Sequence, residues 1–187
     1  MEHEEFLLLL RSTRQARDDE LAERFERSLP FGDAMFDRWE RAKRLGFATG
    51  ASIYDSAHVF GNVEVGKNTW VGPCTLLDGS GGGVRIGAYC TIGAGVHIYT
   101  HDTALWALSG GQLPRRTGPV LVGDCCYIGA QSILVAGVTV GRQVVIAANS
   151  VVNRDVPERT IVGGSPARKL GRVSGEGDHV SMIFEAS

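Results

Sequence analysis

Two histidines near the middle of the chain are the first candidates for acid–base chemistry. His97 and His101 lie four residues apart, at the start of a long segment, residues 99–121, that interrupts an otherwise regular pattern. An imidazole titrates near neutral pH, so it can take a proton from a hydroxyl or an amine that attacks a carbonyl group. A long loop that leaves a rigid scaffold is also a common location for function. The structural elements that hold residues 99–121 therefore determine which reaction these histidines could assist.

A six-residue repeat runs through the chain on both sides of that segment. A period of six matches neither a helix nor an alternating strand, and it is typical of hexapeptide-repeat β-helices, whose units must stack to bury their apolar faces. The pattern resembles the left-handed parallel β-helix, in which three hexapeptides make one coil. The inward aliphatic positions are Ile53, Val59, Val65, Val71, Leu77, Ile86, Ile92, Ile98, Val122, Ile128, Leu134, Val140, Ile146 and Val152.

Small residues follow four positions after most of these aliphatic residues, and they are expected to point inward where little room remains. Gly and Asn are expected at the turns because they tolerate a left-handed backbone. Cys90 and Cys126 fall in the small inward positions and are predicted to be buried thiols. The cysteines show no CxxC spacing, so the sequence does not predict a zinc site.

Composition narrows the classes of function. The chain has 187 residues, is 43% hydrophobic and carries a formal net charge of −2. This balance does not favour a broad nucleic-acid or membrane surface. No apolar run approaches the roughly 18 residues needed to span a bilayer, and the short run 6–10 is a poor secretory signal. A cytoplasmic protein is the default expectation.

The pattern predicts three parts. Residues 1–50 are expected to form a helical cap over one end of the β-helix, residues 51–170 the β-helix with its excursion at 99–121, and residues 171–187 a C-terminal tail. In the cap, Asp33 is expected to begin a second helix that ends at Gly46. In the tail, alternating apolar residues at 180, 182 and 184 predict a short strand.

Three segments resemble the hexapeptide-repeat acyltransferases, especially the maltose/galactoside O-acetyltransferase branch. They are Leu77-Asp78 with residues 84–87, the run Gly95-Val96-His97-Ile98-Tyr99-Thr100-His101, and the run Ile161-Val162-Gly163-Gly164-Ser165-Pro166-Ala167-Arg168. The last resembles the family's segment that closes over coenzyme A after the β-helix. The resemblance covers about residues 53–170, so acyl transfer is the function it implies.

The resemblance implies that His101 is the general base. In that branch the His lies two residues further from the Ile-Tyr-Thr step and precedes Pro, whereas Asp102 follows His101 here. His97 is the rival, and its position in the repeat predicts an outward side chain. Asp102 either orients His101 or starts the loop, and the loop role is favoured. No Ser or Cys in the sequence is recognisable as a nucleophile next to a base.

The resemblance also suggests which residues meet the acceptor. Asp78 matches an acidic residue that the family uses near the acceptor, although it is equally interpretable as a turn residue before Gly79. Tyr99 is also predicted to contact the acceptor. Trp106 either stacks on a sugar or packs the loop down, and Arg115 either contacts an anionic acceptor or pairs with a neighbouring subunit.

Acetyl-CoA is the implied acyl donor, and no metal is required. Small residues would allow the pantetheine arm to approach the backbone, and basic residues would meet the phosphates. The predicted coenzyme A contacts are Ala130, Ala148, Ser150, Gly163, Gly164, Ser165, Pro166, Ala167, Arg168 and Lys169.

The sequence thus predicts a homotrimeric acetyltransferase with sites between subunits. It would transfer an acetyl group to a hydroxyl of a sugar, nucleotide-sugar or glycan precursor in a ternary complex. The nearest alternative is N-acetylation of an amino sugar, either free or nucleotide-linked. More distant alternatives are a γ-type carbonic anhydrase, which needs three His ligands for a metal, and a non-catalytic β-helix scaffold.

Overall fold

A stack of parallel coils forms the centre of the computed structural model, which describes residues 2–185. Ile53 pairs in parallel with Val71, and Ile128 pairs with Ile146, in each case 18 residues further along the chain. Three hexapeptides therefore complete one coil. Each coil places its aliphatic residues directly over those of the preceding coil.

One sheet takes a single strand from each coil and then continues in antiparallel fashion. Because a hexapeptide must also contain a turn, most of its strands are only two residues long. In spatial order they are β1 (Ser52–Ile53), β3 (Trp70–Val71), β5 (Thr91–Ile92), β10 (Tyr127–Ile128), β13 (Val145–Ile146), β15 (Thr160–Gly163), β16 (Arg168–Ser174) and β17 (Ser181–Phe184).

A second sheet forms the rest of the coil wall. Its order is β12 (Thr139–Val140), β9 (Val120–Val122), β4 (Leu76–Ile86), β6 (His97–Tyr99), β11 (Ile133–Leu134) and β14 (Val151–Val152), and β2 (His58–Val65) also pairs with β4. The first residues of β4 pair with β6 and its last residues pair with β9, so β4 crosses two faces of the coil. We call the part made by β4, β6, β11 and β14 the site face.

Aliphatic side chains fill the interior at the predicted period. All fourteen aliphatic positions of the repeat are buried except Val59, which is half-buried and packs against the core. The small positions follow the same rule, and Cys90 and Cys126 are both buried as predicted. The mainly β class with a helical N-terminal part is therefore confirmed.

The turns between strands hold residues that the sequence analysis did not expect. Asn68, Asn149 and Gly95 have positive φ, as predicted for Asn and Gly. Larger residues occupy equivalent positions, namely Cys74, Tyr89, Cys125, Gln131, Gln143 and Arg159. A left-handed residue costs about 1–2 kcal/mol. Backbone hydrogen bonds to the preceding coil offset that cost, as where Gln131 N–H donates to the Ala94 carbonyl at 2.9 Å.

Three helices precede the coil: α1 (His3–Phe25), α2 (Phe31–Met35) and α3 (Arg38–Arg44). The predicted second helix is broken, because Phe36 is extended between α2 and α3. The prediction that Asp33 caps this helix is wrong. Its carboxylate accepts from Ser56 N–H at 2.8 Å, and Asp37 caps α3 by accepting from two N–H groups of its first turn.

Helix α3 lies against the first coil. Ala42 and Phe47 are buried and belong to the same apolar cluster as Ile53. The guanidinium group of Arg41 donates to the Tyr54 carbonyl and, at 2.7 Å, to the Ala57 carbonyl. The apolar end of the stack is thus covered by helix. Within residues 2–185, no helix combines the length and the apolar character that a membrane span requires.

The excursion folds as a small hairpin around one short helix. Strand β6 ends at Tyr99 and β9 begins at Val120, so the excursion comprises residues 100–119 rather than 99–121. Strands β7 (His101–Asp102) and β8 (Arg116–Thr117) pair in antiparallel fashion, and α4 (Ala104–Leu108) lies between them. At the C-terminal end, a short 3₁₀ turn at Gly177–His179 leads into β17, where the sequence predicted a strand.

Candidate active site

His101 lies at the root of the excursion, directly after a fully buried threonine. Thr100 Oγ1 donates to the Asp78 carbonyl at 2.6 Å and accepts from Gly81 N–H at 2.8 Å. These bonds fix the root of the excursion on β4. A Cβ atom built at Gly81 would lie 2.7 Å from His101 Cβ. Only glycine therefore allows β4 to lie this close to His101.

A carboxylate and a hydroxyl face the Nδ1 side of the His101 ring. Asp78 Oδ2 lies 3.3 Å from Nδ1, and Ser80 Oγ lies 3.4 Å from the same nitrogen. Ser80 also donates twice to Asp78 Oδ1, from its hydroxyl at 2.6 Å and from its backbone N–H at 3.0 Å. The side chains of Asp78 and His101 are 11% and 24% exposed, so their pairing is largely shielded from water.

The pKa of the Asp78 carboxyl group lies below its ordinary value. Burial acts against this, because it disfavours the charged carboxylate and raises the pKa. The two hydrogen bonds from Ser80, together with the positive charges of His101 and Arg115, outweigh burial and lower it. Asp78 is therefore an anion at neutral pH.

A pocket opens beside His101 at one edge of the site face. Its lining residues are Asp78, Tyr99, His101, Asp102, Thr103, Val135 and Ala136. Asp102 accepts a hydrogen bond from Ala104 N–H at 3.1 Å, which fixes the start of α4. The loop role favoured for Asp102 agrees with this contact.

The rival histidine lies on the same face but outside the lining of that pocket. His97 is half-buried, and its Nδ1 lies 3.2 Å from the hydroxyl of Tyr99. The two rings meet edge to face, with their centroids 5.8 Å apart. This geometry makes His97 a partner of Tyr99. Tyr99 is the last residue of β6 before the chain turns towards His101.

The two predicted acceptor contacts of the excursion occupy different environments. Arg115 is exposed but near enough to Asp78 for its charge to lower the pKa of that carboxyl group. Trp106 is 52% exposed on α4 and is not among the residues lining the His101 pocket. Of these two residues, Arg115 is therefore the one with an electrostatic connection to the site.

A groove of small residues runs along the opposite edge of the site face. It follows the turns that precede β4, β6, β11 and β14, and its lining comprises Pro73, Cys74, Ala94, Gly95, Ala130, Gln131, Ala148 and Asn149. Ala130 and Ala148 were predicted to contact coenzyme A, and both lie in this groove. Side chains this small leave the backbone open to close approach by a long ligand.

Residues 164–167 form the hairpin turn between β15 and β16, and Gly163 pairs with Arg168 at its base. Val151 N–H donates to the Gly164 carbonyl at 3.0 Å, and Ala167 N–H donates to the Val151 carbonyl at 2.8 Å. The turn thus extends the site face beyond β14, next to the end of the groove. Ser165 and Pro166 are exposed on it.

Two predicted coenzyme A contacts do not present a side-chain surface to a ligand. Ser150 is fully buried, and its hydroxyl donates to the Ala147 carbonyl at 2.6 Å and accepts from Gly164 N–H at 3.1 Å. Gly163 is buried as well, where an added Cβ would meet Leu170 Cδ1 at 2.7 Å. Both residues hold the hairpin turn in place from inside.

The two predicted phosphate contacts follow this turn and are both exposed. Lys169 forms an ion pair with Glu185. Within residues 2–185, the Arg168 side chain has one hydrogen bond, to the neighbouring Ala167 carbonyl at 2.9 Å. Arg154 lines the same cavity as Arg168 and Lys169. The sequence analysis did not single out Arg154, because it follows the last regular hexapeptide without a motif of its own.

Comparison with known proteins identifies the repeat. The family described as "Bacterial transferase hexapeptide (six repeats)" matches residues 119–154. These residues carry the repeat of the hexapeptide transferases. The predicted resemblance to hexapeptide-repeat transferases is thereby confirmed, although the relatives do not single out the maltose/galactoside O-acetyltransferase branch.

Similar proteins include an acetyltransferase. The chain is 34% identical over 96 residues to a 2,3,4,5-tetrahydropyridine-2,6-dicarboxylate N-acetyltransferase of Staphylococcus aureus, covering 51% of this chain and 38% of that protein. It is 38% identical over 94 residues to protein CapG of Staphylococcus aureus, covering 46% and 51%. The chain therefore spans about half, or less, of the length of these curated relatives.

A solved structure covers most of the chain. A hexapeptide-repeat acetyltransferase of Vibrio cholerae, in complex with acetyl coenzyme A, is 29% identical, with a TM-score of 0.65. The match covers 88% of this chain and 87% of that one. The likeness thus extends well beyond the repeats to the surrounding parts of the chain.

The structure brings together residues that are far apart in the sequence. Ser80 and Gly81 are close to His101 although they lie about twenty residues away in the sequence. They belong to a glycine-rich stretch, residues 79–83, where the six-residue repeat is interrupted. The strand register could have revealed this proximity, because Asp78 pairs with Tyr99 across the sheet. Pairing β4 with β6 from the sequence would have placed Asp78 beside the root of the excursion.

Proposed function

We propose that the chain is an acetyl-CoA-dependent acetyltransferase, built on a left-handed coil, in which His101 is the general base. One observation carries the proposal: a half-buried His101 lines a pocket at one edge of the site face, and a groove of small residues follows the other edge. The acetyl coenzyme A complex of the similar Vibrio cholerae protein supports the choice of donor.

His101 performs the proton transfers in this proposal. Its Nδ1 side faces Asp78 and Ser80, which leaves Nε2 to accept a proton from the acceptor's hydroxyl or amine. Acetyl-CoA supplies the acetyl group as a thioester. As the new bond to the acetyl carbon forms and the carbon–sulfur bond breaks, His101 returns its proton to the leaving sulfur, so the ring ends as it began.

The separation of groove and base supports a site shared between copies of the chain. The groove lies along the turns before the strands of the site face, and the His101 pocket lies at their opposite ends. A donor in the groove of one chain would thus meet a base from another chain. This is the arrangement of the predicted homotrimer with sites between subunits.

The proposed acceptor is a sugar, nucleotide-sugar or glycan precursor with a free hydroxyl. N-acetylation is the second candidate, and the Staphylococcus aureus relative named as an N-acetyltransferase favours it. Both reactions need the same base, because an ammonium group must also lose a proton before it attacks. The exposed Arg115, close to Asp78, favours an acceptor with a carboxylate or phosphate group.

The decisive experiment measures acceptor-dependent thiol release from acetyl-CoA with a panel of sugars, amino sugars and nucleotide-sugars. We expect His101→Ala to lower turnover by at least about 10²-fold, the usual contribution of a positioned base. His58→Ala is the matched control, because His58 is exposed on β2 and lines neither the pocket nor the groove. Retained turnover in His101→Ala would refute the base assignment and direct attention to His97.

The same panel tests the acceptor class. Arg115→Ala should raise KM about tenfold for anionic acceptors and leave it nearly unchanged for neutral ones, because a tenfold change corresponds to about 1.4 kcal/mol, within the range of one charged hydrogen bond. Equal effects on both kinds of acceptor would contradict an anion-binding role. Mass spectrometry of the product distinguishes an ester from an amide.

A further inference from the structure

We propose that Asp78 is a positioning residue which, together with Ser80, holds His101 in a single tautomer, and that it does not bind the acceptor. The inference rests on the proposed function of His101. It changes the role that the family resemblance suggested for Asp78, and it adds Ser80, which the sequence analysis did not name.

The hydrogen-bonding capacity of Asp78 is directed inward. Its Oδ1 accepts from both the hydroxyl and the backbone N–H of Ser80, at 2.6 and 3.0 Å, and its Oδ2 faces His101 Nδ1 at 3.3 Å. Its backbone carbonyl accepts from Thr100 N–H at 3.1 Å and from the Thr100 hydroxyl. A carboxylate held in this way has little freedom to turn towards a sugar hydroxyl.

Geometry and charge make this arrangement select a tautomer. A neutral imidazole carries one N–H, and a carboxylate beside Nδ1 can only accept, so the proton is held on Nδ1. The lone pair then lies on Nε2, which is the form a general base needs. A hydrogen bond between a carboxylate and a histidine ring fixes ring orientation in the same way at metal sites, where losing the partner costs about 10–100-fold.

Ser80 could instead be viewed as a nucleophile, because Ser80, His101 and Asp78 are together. The contacts favour the positioning role. The Ser80 hydroxyl gives its hydrogen to Asp78 at 2.6 Å, whereas its distance to the His101 ring is 3.4 Å. Ser80 also lies outside the lining of the His101 pocket. Its hydroxyl thus fixes the carboxylate that fixes the ring.

Nitrogen-15 NMR of histidine-labelled protein reads the tautomer directly, without substrate. The His101 signals are assigned by their loss in His101→Gln. We expect the neutral ring of the wild type to be in the Nδ1–H form. In Asp78→Asn we expect a shift towards the Nε2–H form, because the Asn amide can donate to Nδ1. A wild-type ring in the Nε2–H form, or an unchanged tautomer in Asp78→Asn, would overturn the inference.

Kinetics with the acceptor found above provides the second measurement. Asp78→Asn should lower kcat about 10–100-fold with little change in acceptor KM, and Asp78→Glu, which keeps the carboxylate, should recover part of the loss. Glu64→Gln is the matched control, since Glu64 is an exposed carboxylate on β2 that pairs with Arg85 at 3.0 Å. A raised acceptor KM with unchanged kcat would make Asp78 an acceptor contact after all.

Ser80→Ala separates the positioning role from the nucleophilic one. We expect a loss of kcat smaller than that of Asp78→Asn, and a partial change of tautomer. A loss as complete as that of His101→Ala, with the wild-type tautomer retained, would identify Ser80 as a nucleophile and overturn the proposal. If the wild type transfers no acetyl group at all, the proposed function fails, while the NMR measurement still decides whether Asp78 sets the tautomer.

Discussion

The coil and the excursion are built by opposite means. In the coil, most two-residue strands are paired on both sides, and the inward residues Leu77, Ile98 and Leu134 are fully buried one above the other. In the excursion, two short strands pair only with each other, and α4 has no buried residue. Leu108 in that helix is 84% exposed.

The difference explains how the candidate site is divided. Catalytic groups need fixed distances, and such distances are held best by regular elements. Asp78 lies within β4, and His101 is one residue away from the fully buried Thr100. Arg115 and Trp106 belong to the exposed part of the excursion, where side chains can vary without disturbing the core. In the proposed function, the reaction would thus take place where the coil meets the excursion, and the exposed part of the excursion would recognise the acceptor.

The largest effect is expected when the coil is changed beneath the site. Ile98 is fully buried on β6, and Ile98→Ala should lower the free energy of unfolding by about 2–5 kcal/mol, the usual range for such a cavity. Leu108→Ala in the excursion should change it by no more than about 0.5 kcal/mol. Chemical denaturation measures both. Similar losses for the two variants would contradict the contrast between coil and excursion.

A smaller effect is expected at the junction of the two regions. Gly81→Ala places a methyl group against His101 and Thr100, and we expect a loss of about 1–3 kcal/mol of stability together with reduced kcat. Gly110→Ala is the comparison in the excursion. An added Cβ there meets nothing within 4 Å, and only its φ of +64° opposes the change.

The Gly110 variant should therefore lose stability by about 1 kcal/mol and keep its kcat. Thermal unfolding and steady-state kinetics, measured on the same preparations, distinguish the two positions. An unchanged kcat in Gly81→Ala would mean that the close approach of β4 does not hold His101 in place.

The sequence predicts the coil well because each of its units repeats one physical requirement. The aliphatic residue at every sixth position must be buried, so the period alone identifies the residues of the interior, with Val59 as the half-buried exception. Composition also separates the helical part from the coil. The period carries no information, however, about what happens where it is broken.

Two of the missed features lie at such a break. Ser80 and Gly81 lie in the glycine-rich stretch of β4 where the repeat is interrupted. Their proximity to His101 depends on the pairing of strands from two coils. Ser150 is predicted as a coenzyme A contact because it is small, but its position in the repeat directs its side chain inward. Asp33 reads as a helix cap because its actual partner, Ser56, lies more than twenty residues away.

The smallest expected effect is a pH dependence at the boundary between coil and excursion. The native pKa of Asp78 lies below its ordinary value, so the ionised carboxylate stabilises the folded state. This contribution is fully present above the unfolded-state pKa, about 3.9, and is lost as the pH falls through the native pKa.

Asp78→Asn, which cannot ionise, should therefore differ most from the wild type at neutral pH, and the difference in the free energy of unfolding should shrink as the pH falls below about 4. Glu64→Gln on the exposed side of β2 should show a weaker trend, because the ion pair of Glu64 is open to solvent and screened. Urea denaturation from about pH 3 to pH 7 measures both differences. If the Asp78→Asn difference is constant across this range, the carboxylate charge is not what joins β4 to the root of the excursion, and the hydrogen bonds of Thr100 must hold that junction alone.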